Sequence, residues 1–279
     1  MKIITIPLTQ DFKQLERAMR GRSADPAHVR LTVGNESTAV VGPSGDPILV
    51  FLKQALPASL YKPALRDWWS AAKDDISNRF SAMATKGTPG INLDGTFTNR
   101  LRVPREILDV TPARQGIIGY SVANGKCYKT HLSVVHPELI DDHIELIELV
   151  DSVYKYHLPT MYARQWAQVA NLPNLRIGRT AFSTGYFVKL LQCGYHPDLR
   201  NLRNVMSCIF SLGPFVGGDL VLFRWRVAVA YRSGDLLLFN PQYYHGNLSF
   251  TGARMSAVFY CEKNIGRCGA PGGLSENDL

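Results

Sequence analysis

Residues 217–240 read GGDLVLFRWRVAVAYRSGDLLLFN. Two apolar runs, LVLF (220–223) and LLLF (236–239), each follow a Gly-Asp pair and flank the alternating stretch RWRVAVAY. Short apolar runs bounded by glycine turns predict buried strands, because a strand needs few residues and its ends need residues that reverse the chain. The period-two rule places Arg224, Arg226 and Ala228 on one face of the middle strand, with Trp225, Val227 and Val229 toward the core. Gly217, Gly218 and Gly234 serve as turn formers.

Working outward, LRIGRTAFSTGYFVKLLQ (175–192), VMSCIFSLG (205–213) and ARMSAVFYCEKN (253–264) have the same texture. Successive short strands joined by glycine-containing turns predict an antiparallel sandwich or jelly roll. Upstream, VRLTVGNESTAVVGPSGDPILVFLKQALP (29–57) predicts three strands with a sharp turn at GPSGDP. YKPALRDWWSAAKDDISNRF (61–80) has helical spacing, with Leu65, Trp68, Trp69 and Ala72 near one face. Residues 86–106, rich in Gly, Asn and Thr, predict an irregular loop, and 136–173 predict two helices broken near Pro159. No linker separates these parts. The expectation is one α+β catalytic domain over 1–279: strands and supporting helices in 1–172, a β core in 173–265, and a loose tail in 266–279.

Composition narrows the functional classes. Of 279 residues 46% are hydrophobic, enough for one large core, yet charges interrupt every apolar stretch well short of a membrane span. MKIITIPLTQDFKQ breaks its apolar run at once and predicts a first strand, not a signal peptide. The five cysteines include no C-x-x-C, which argues against a structural zinc site or a secreted disulfide scaffold and for an intracellular, reducing location. The net charge of +8 favours a polyanionic partner such as nucleic acid. Nothing implies a membrane or a protein partner, and a monomer is expected.

The chemistry lies in GYHPDLRN (194–201) and YYHGN (243–247). Residues two apart on an extended strand point the same way, so His196 and Asp198 aim an imidazole and a carboxylate at one place. His245 follows about fifty residues later. H-x-D with a distal histidine is the ligand set of a facial iron site that keeps three positions open. Nine residues on comes Arg254, on a strand whose alternation gathers Arg254, Ser256, Val258, Tyr260 and Glu262 on one face. A core arginine needs an anion. A dicarboxylate such as 2-oxoglutarate supplies one, with its keto-acid end on iron and its far carboxylate on Arg254, Ser256 adding a hydroxyl.

With these motifs, and with FSTGYFVKLLQCGYHPDLRN, GGDLVLF, SGDLLLF and GARMSAVFY, residues 175–263 resemble the double-stranded β-helix (cupin-like) Fe(II)/2-oxoglutarate dioxygenases. Within these the chain is similar to the TET/JBP branch, in its compact phage, fungal or protist form. The resemblance implies Fe(II), 2-oxoglutarate and O₂ as cofactor and co-substrates, with His196, Asp198 and His245 as catalytic iron ligands and Arg254 with Ser256 as the co-substrate clamp. It implies oxidation of the methyl group of 5-methylcytosine in DNA to the hydroxymethyl form, with further oxidation left open, the base being flipped out. Asn201 matches a base-contacting asparagine and Tyr260 a base-stacking aromatic. Glu262 stands where animal TET enzymes have a histidine. If its carboxylate faced the base it would accept from cytosine's amine and disfavour thymine's carbonyl. The animal enzymes' cysteine-rich region has no counterpart. The same chemistry on thymine, N6-methyladenine, RNA or a small molecule is the alternative, and a non-catalytic β-helix binding module the remote one.

The remaining candidates have plainer expectations. His131, His136 and His143 read as surface or capping residues, and Trp68 with Trp69 as core packing. Arg200, Arg203, Arg224, Arg226 and Arg232 read equally well as a phosphate-binding rim or as a solvated face.

Overall fold

The computed structural model describes residues 1–8, 10–72, 90–91, 97–98, 114–123, 126–268 and 275–276. The predicted loop at 86–106 and the tail lie largely outside them.

Four strands precede the first long helix: β1 (Lys2–Thr5), β2 (Leu31–Val33), β3 (Thr38–Val41) and β4 (Pro47–Leu52), with the short α1 (Gln10–Leu15) between the first two. GPSGDP turns β3 into β4, with Gly45 at φ +83° where a side chain would be strained. Helix α2 (Ala58–Ala71) buries Ala64 and Trp68 completely, and Trp69 lies half-buried beneath the Lys189 ammonium. Then come β5 (Gly90–Ile91), β6 (Phe97–Thr98), β7 (Arg114–Ala123) and β8 (Lys126–Lys129), followed by α3 (His131–Val135), α4 (Glu138–Asp141), α5 (Ile144–His157) and α6 (Pro159–Val169). The break between α5 and α6 is Leu158 at φ −137°, ψ 59°: the ring of Pro159 drives the residue before it out of helical geometry.

Ten strands follow: β9 (Thr184–Lys189), β10 (Ser207–Leu212), β11 (Phe215–Gly217), β12 (Leu220–Leu222), β13 (Val227–Val229), β14 (Leu236–Phe239), β15 (His245–Asn247), β16 (Phe250–Gly252), β17 (Met255–Tyr260) and β18 (Ser275–Glu276). The major sheet runs β1-β3-β4-β14-β10-β17-β9-β7-β8-β18, and a smaller one runs β15-β12-β13-β2. Most major-sheet pairings around β10 and β17 are antiparallel. This is the double-stranded β-helix expected from the sequence, and strands from the N-terminal half extend both of its sheets.

Alternation along the strands sorts residues between two cores. On β14, Leu236 and Leu238 join the core beneath α2, α5 and α6, where Trp68 stacks on Phe187 at 5.7 Å. Leu237 and Phe239 join the core between the sheets, with Leu220, Leu222, Val227 and Val229. LLLF is continuously apolar because both of its faces are covered.

The middle of 217–240 departs from expectation. Residues 223–225 form a 3-10 turn and Arg226 adopts a left-handed conformation (φ 55°), so strand alternation begins only at Val227. All of β13 is buried, since Ala228 packs on Val221, Phe223 and Tyr195 beneath the N-terminal segment. Cys127 and Cys268, 141 residues apart, form a disulfide, which runs against the reduced thiols expected from cysteine count and spacing.

Candidate active site

β15 carries His245, and an antiparallel bridge joins it to the extended stretch at His196, with N–H···O bonds of 3.0 Å in both directions. The approach is tight because Gly246 lacks a side chain: a Cβ there would lie 3.0 Å from the Cys193 carbonyl oxygen. Asp198 follows two residues after His196, its N–H donating to the Pro241 carbonyl at 2.8 Å. Gln242 Nε2 donates to the Asp198 carbonyl at 3.0 Å, tying the loop to the strand that leads into His245.

The three side chains converge. One ligand atom from each of His196, Asp198 and His245 lies within 4.8 Å of the others, the only such metal-binding group among the described residues. Each imidazole has its Nδ1 at 2.8 Å from a backbone oxygen, of Gly194 for His196 and of Tyr243 for His245. A backbone carbonyl only accepts, so both rings carry the Nδ1 proton and turn Nε2 inward as the ligating atom. Those Nε2 atoms lie 3.6 and 3.7 Å from the Asp198 carboxylate. Burial, with His196 adding to it, lowers the His245 pKa to about 4, which keeps the ring neutral and ready to ligate. Two imidazoles fixed by carbonyls and one carboxylate fit Fe(II).

Beyond the triad lies a cavity of about 470 Å³, lined by the triad, Arg254, Ser256, Asn201 and Tyr260 among others. β17 accounts for one wall: Met255, Ala257 and Phe259 point into the helix-covered core, whereas Ser256, Val258 and Tyr260 point into the cavity. Arg254, just before the strand, is 3% exposed. Its Nη2 donates to the Tyr231 hydroxyl at 2.8 Å, and the rings of Phe215, Tyr231 and Phe250 surround it at 5.4–5.8 Å. Its Nε is buried with no partner, and no carboxylate meets it among the described residues. A buried cation with an orphaned donor, opening onto the cavity, fits the far carboxylate of 2-oxoglutarate. Gly218 makes room for it, since a Cβ there would lie 3.1 Å from Nε. The Ser256 hydroxyl lies 3.1 Å from that of Ser211 and lines the same cavity.

At the other end stand Asn201, Tyr260 and Arg200. The Asn201 amide donates to Ser207 Oγ at 2.8 Å. Glu262 is placed differently from the sequence expectation. It is buried and does not line the cavity: one carboxylate oxygen accepts from Ser121 Oγ and the Val122 N–H, the other from Nε and Nη2 of Arg200. The alternation that brings Arg254, Ser256 and Tyr260 to one face ends with β17. Glu262 is instead bridged to Asn201 and turned toward β7. Its carboxylate is fully engaged and has no lone pair for a base.

The other sequence candidates resolve simply. His136 pairs with Glu138, and the buried His143 pairs with Asp67 at 3.1 Å. Arg224 binds buried Glu16, Arg226 stacks over Phe12, and Arg232 meets Asp219. These three are structural, and Arg203 is exposed. Sequence reasoning missed Arg20, Tyr186, Cys193 and Asn247, all of which line the cavity. Tyr186 and Cys193 stand in plain sight near H-x-D, but Arg20 lies far off in the chain with no local signal. Burial pushes the Cys193 thiol up to about 12, so it stays protonated.

Comparison with known proteins places this geometry. Residues 121–263 match the family model Tet_JBP, the oxygenase domain of the 2OGFeDO superfamily. Thymine dioxygenase JBP1 of Crithidia fasciculata is 27% identical over 164 residues, covering 54% of this chain and 20% of that protein. The bifunctional helicase and thymine dioxygenase JBP2 of Trypanosoma brucei brucei is 29% identical over 139 residues, covering 47% of this chain and 13% of that protein. The chain thus spans at most about a fifth of these relatives. The solved structure of NgTET1 in complex with 5mC DNA shares the fold, with a TM-score of 0.55 at 15% identity over 94% of this chain and 82% of that one. The family match extends over just over half of the chain and contains every strand that carries the triad and Arg254, so the chain belongs to the Tet/JBP family of 2-oxoglutarate- and Fe(II)-dependent oxygenases.

Proposed function

We propose that this chain oxidises the C5 methyl group of a pyrimidine in DNA, 5-methylcytosine or thymine, acting as one catalytic unit on a base flipped out of the stack. The carrying observation is the cavity that joins the triad to Tyr260 and Asn201. A base in the duplex cannot bring its methyl group to a recessed metal, whereas a flipped one can enter such a pocket edge first. The activity of the JBP1 and JBP2 relatives, on thymine, supports a C5-methyl target.

Iron with 2-oxoglutarate and O₂, when bound, would supply the two-electron oxidation of the methyl group, with 2-oxoglutarate decarboxylated to succinate and CO₂. His196, Asp198 and His245 hold the metal, and Arg254 with Ser256 fixes the far carboxylate of 2-oxoglutarate. Tyr260 offers a flat ring for the base, and Asn201 an amide for its edge. Cys193, protonated, leaves the ligand set to the triad. A preference for 5-methylcytosine through Glu262 has lost its physical basis, because that carboxylate serves Arg200. An intracellular location accords with action on DNA, but the Cys127–Cys268 disulfide takes away its support from the cysteines.

The test is nucleoside mass spectrometry after incubating paired duplexes, one with 5-methylcytosine and one with unmodified thymine only, with enzyme, Fe(II), ascorbate and 2-oxoglutarate. Hydroxymethylcytosine or hydroxymethyluracil is expected. Turnover of 2-oxoglutarate without either product would move the substrate to another class.

A further inference from the structure

The family match begins at residue 121, yet one side chain of the cavity comes from residue 20. Helix α1 runs into a 3-10 turn (Glu16–Met19) whose Glu16 is 4% exposed. Its carboxylate accepts from Arg224 Nε at 3.0 Å and from the backbone N–H of Tyr244 at 3.0 Å, beside the ligand His245. Further on, Gly21 N–H donates to the Tyr195 carbonyl and Tyr195 N–H to the Arg22 carbonyl, both at 2.8 Å, beside the ligand His196. Phe12 packs on Phe223 at 5.2 Å. The arm 10–28 is therefore anchored at the neighbour of each histidine ligand.

Its outer face is basic. Lys13, Arg17, Arg20 and Arg22 are exposed; of the arm's three acids, Glu16 is buried under Arg224, while Asp11 and Asp25 face solvent, Asp25 accepting from the Ala27 N–H. The Arg20 side chain lines the active-site cavity and has no partner among the described residues.

We propose that the arm is a DNA-backbone contact surface of the active site, with Arg20 holding a phosphate at the mouth of the cavity beside the flipped nucleotide. The inference rests on the DNA reading above. When a base enters a pocket, its own and neighbouring phosphates remain at the rim, and they are the strongest acceptors there. An unpaired guanidinium on a fixed backbone suits that group. Arg200, at the base-binding end of the cavity, is largely neutralised by Glu262, and Arg254 is buried at the co-substrate end. Among the described residues, that leaves Arg20 as the free cation at the mouth.

The test titrates a labelled duplex with the full chain, loaded with Mn(II) and 2-oxoglutarate, between 50 and 200 mM salt. Arg20→Ala should weaken binding about tenfold and reduce the slope of log K against log salt by about 1, as expected when one fewer phosphate is neutralised. The weakening should be the same for thymine and 5-methylcytosine duplexes, and Arg20→Lys should restore most of the slope. An unchanged slope in Arg20→Ala, or a weakening that depends on the base, would overturn the proposal while leaving the DNA reading intact. A flat salt response in the wild-type chain would sink the DNA reading itself, and the proposal with it.

Discussion

Arg254 shows most clearly what one residue contributes. Its guanidinium is desolvated, framed by three aromatic rings and left with an orphaned Nε. Such a charge is costly without an anion, and the proposed role, holding the far carboxylate of 2-oxoglutarate, would supply one. Arg254→Ala should weaken 2-oxoglutarate binding by about 2–5 kcal/mol, the usual loss when one partner of a buried charge pair is removed. Isothermal titration of the Mn(II)-loaded variant checks this; wild-type affinity would place the clamp elsewhere. The triad, Arg254, Ser256 and Tyr260 were legible in the sequence because each sits in or beside an extended segment, where a period of two fixes direction. Glu262 was misjudged by the same rule carried past the strand end. Once β17 stops at Tyr260, nothing local says which way the next acid turns, and only β7, some 140 residues away in sequence, shows what it meets.

The elements around the triad are held closer than side chains normally permit. Gly246 on β15 lies against the stretch leading to His196, where a Cβ would meet the Cys193 oxygen, the Gly194 carbonyl carbon and the Tyr195 nitrogen at 3.0–3.1 Å. These are backbone atoms and cannot swing aside. Gly246→Ala should therefore push the two histidine-bearing segments apart by a few tenths of an ångström, at about 1–3 kcal/mol of overpacking, and lower Fe(II) affinity with the fold retained. Circular dichroism with a metal titration checks this; unaltered affinity would mean that the bridge flexes freely. Helices were the easiest elements to read, since α2 and the α5–α6 break follow from apolar spacing and a proline. RWRVAVAY was harder. Its alternation is genuine, but the 3-10 turn at 223–225 and the left-handed Arg226 are set by Glu16 and Phe12 of the arm, contacts that local pattern cannot contain.

At the scale of the whole molecule, contacts between distant segments decide what the sequence conceals: the arm against the triad, and Cys127 against Cys268. Burial also gives the fold a pH dependence. Burial lowers the pKa of His28, His143 and His157, and takes His245 to about 4. The unfolded chain holds these rings near 6.5, so between those values it binds protons that the native state refuses. Stability therefore rises with pH across that window, is fully present above about 6.5, and is lost as pH falls toward 4. Asp151 works the other way: burial raises its pKa, so its contribution declines as pH rises through the carboxylate range near 4. For His245, which is 4% exposed, the shift corresponds to about 3 kcal/mol. Metal-free protein should thus show a falling urea midpoint from pH 7 to pH 4.5, and Fe(II) affinity should fall over the same range because protons compete for the ligand nitrogens. His245→Asn should flatten the unfolding profile, since its side chain does not titrate. An unchanged midpoint from pH 7 to 4.5 in the wild-type protein would show that His245 charges inside the fold, and would remove the basis for reading it as a neutral, preorganised ligand.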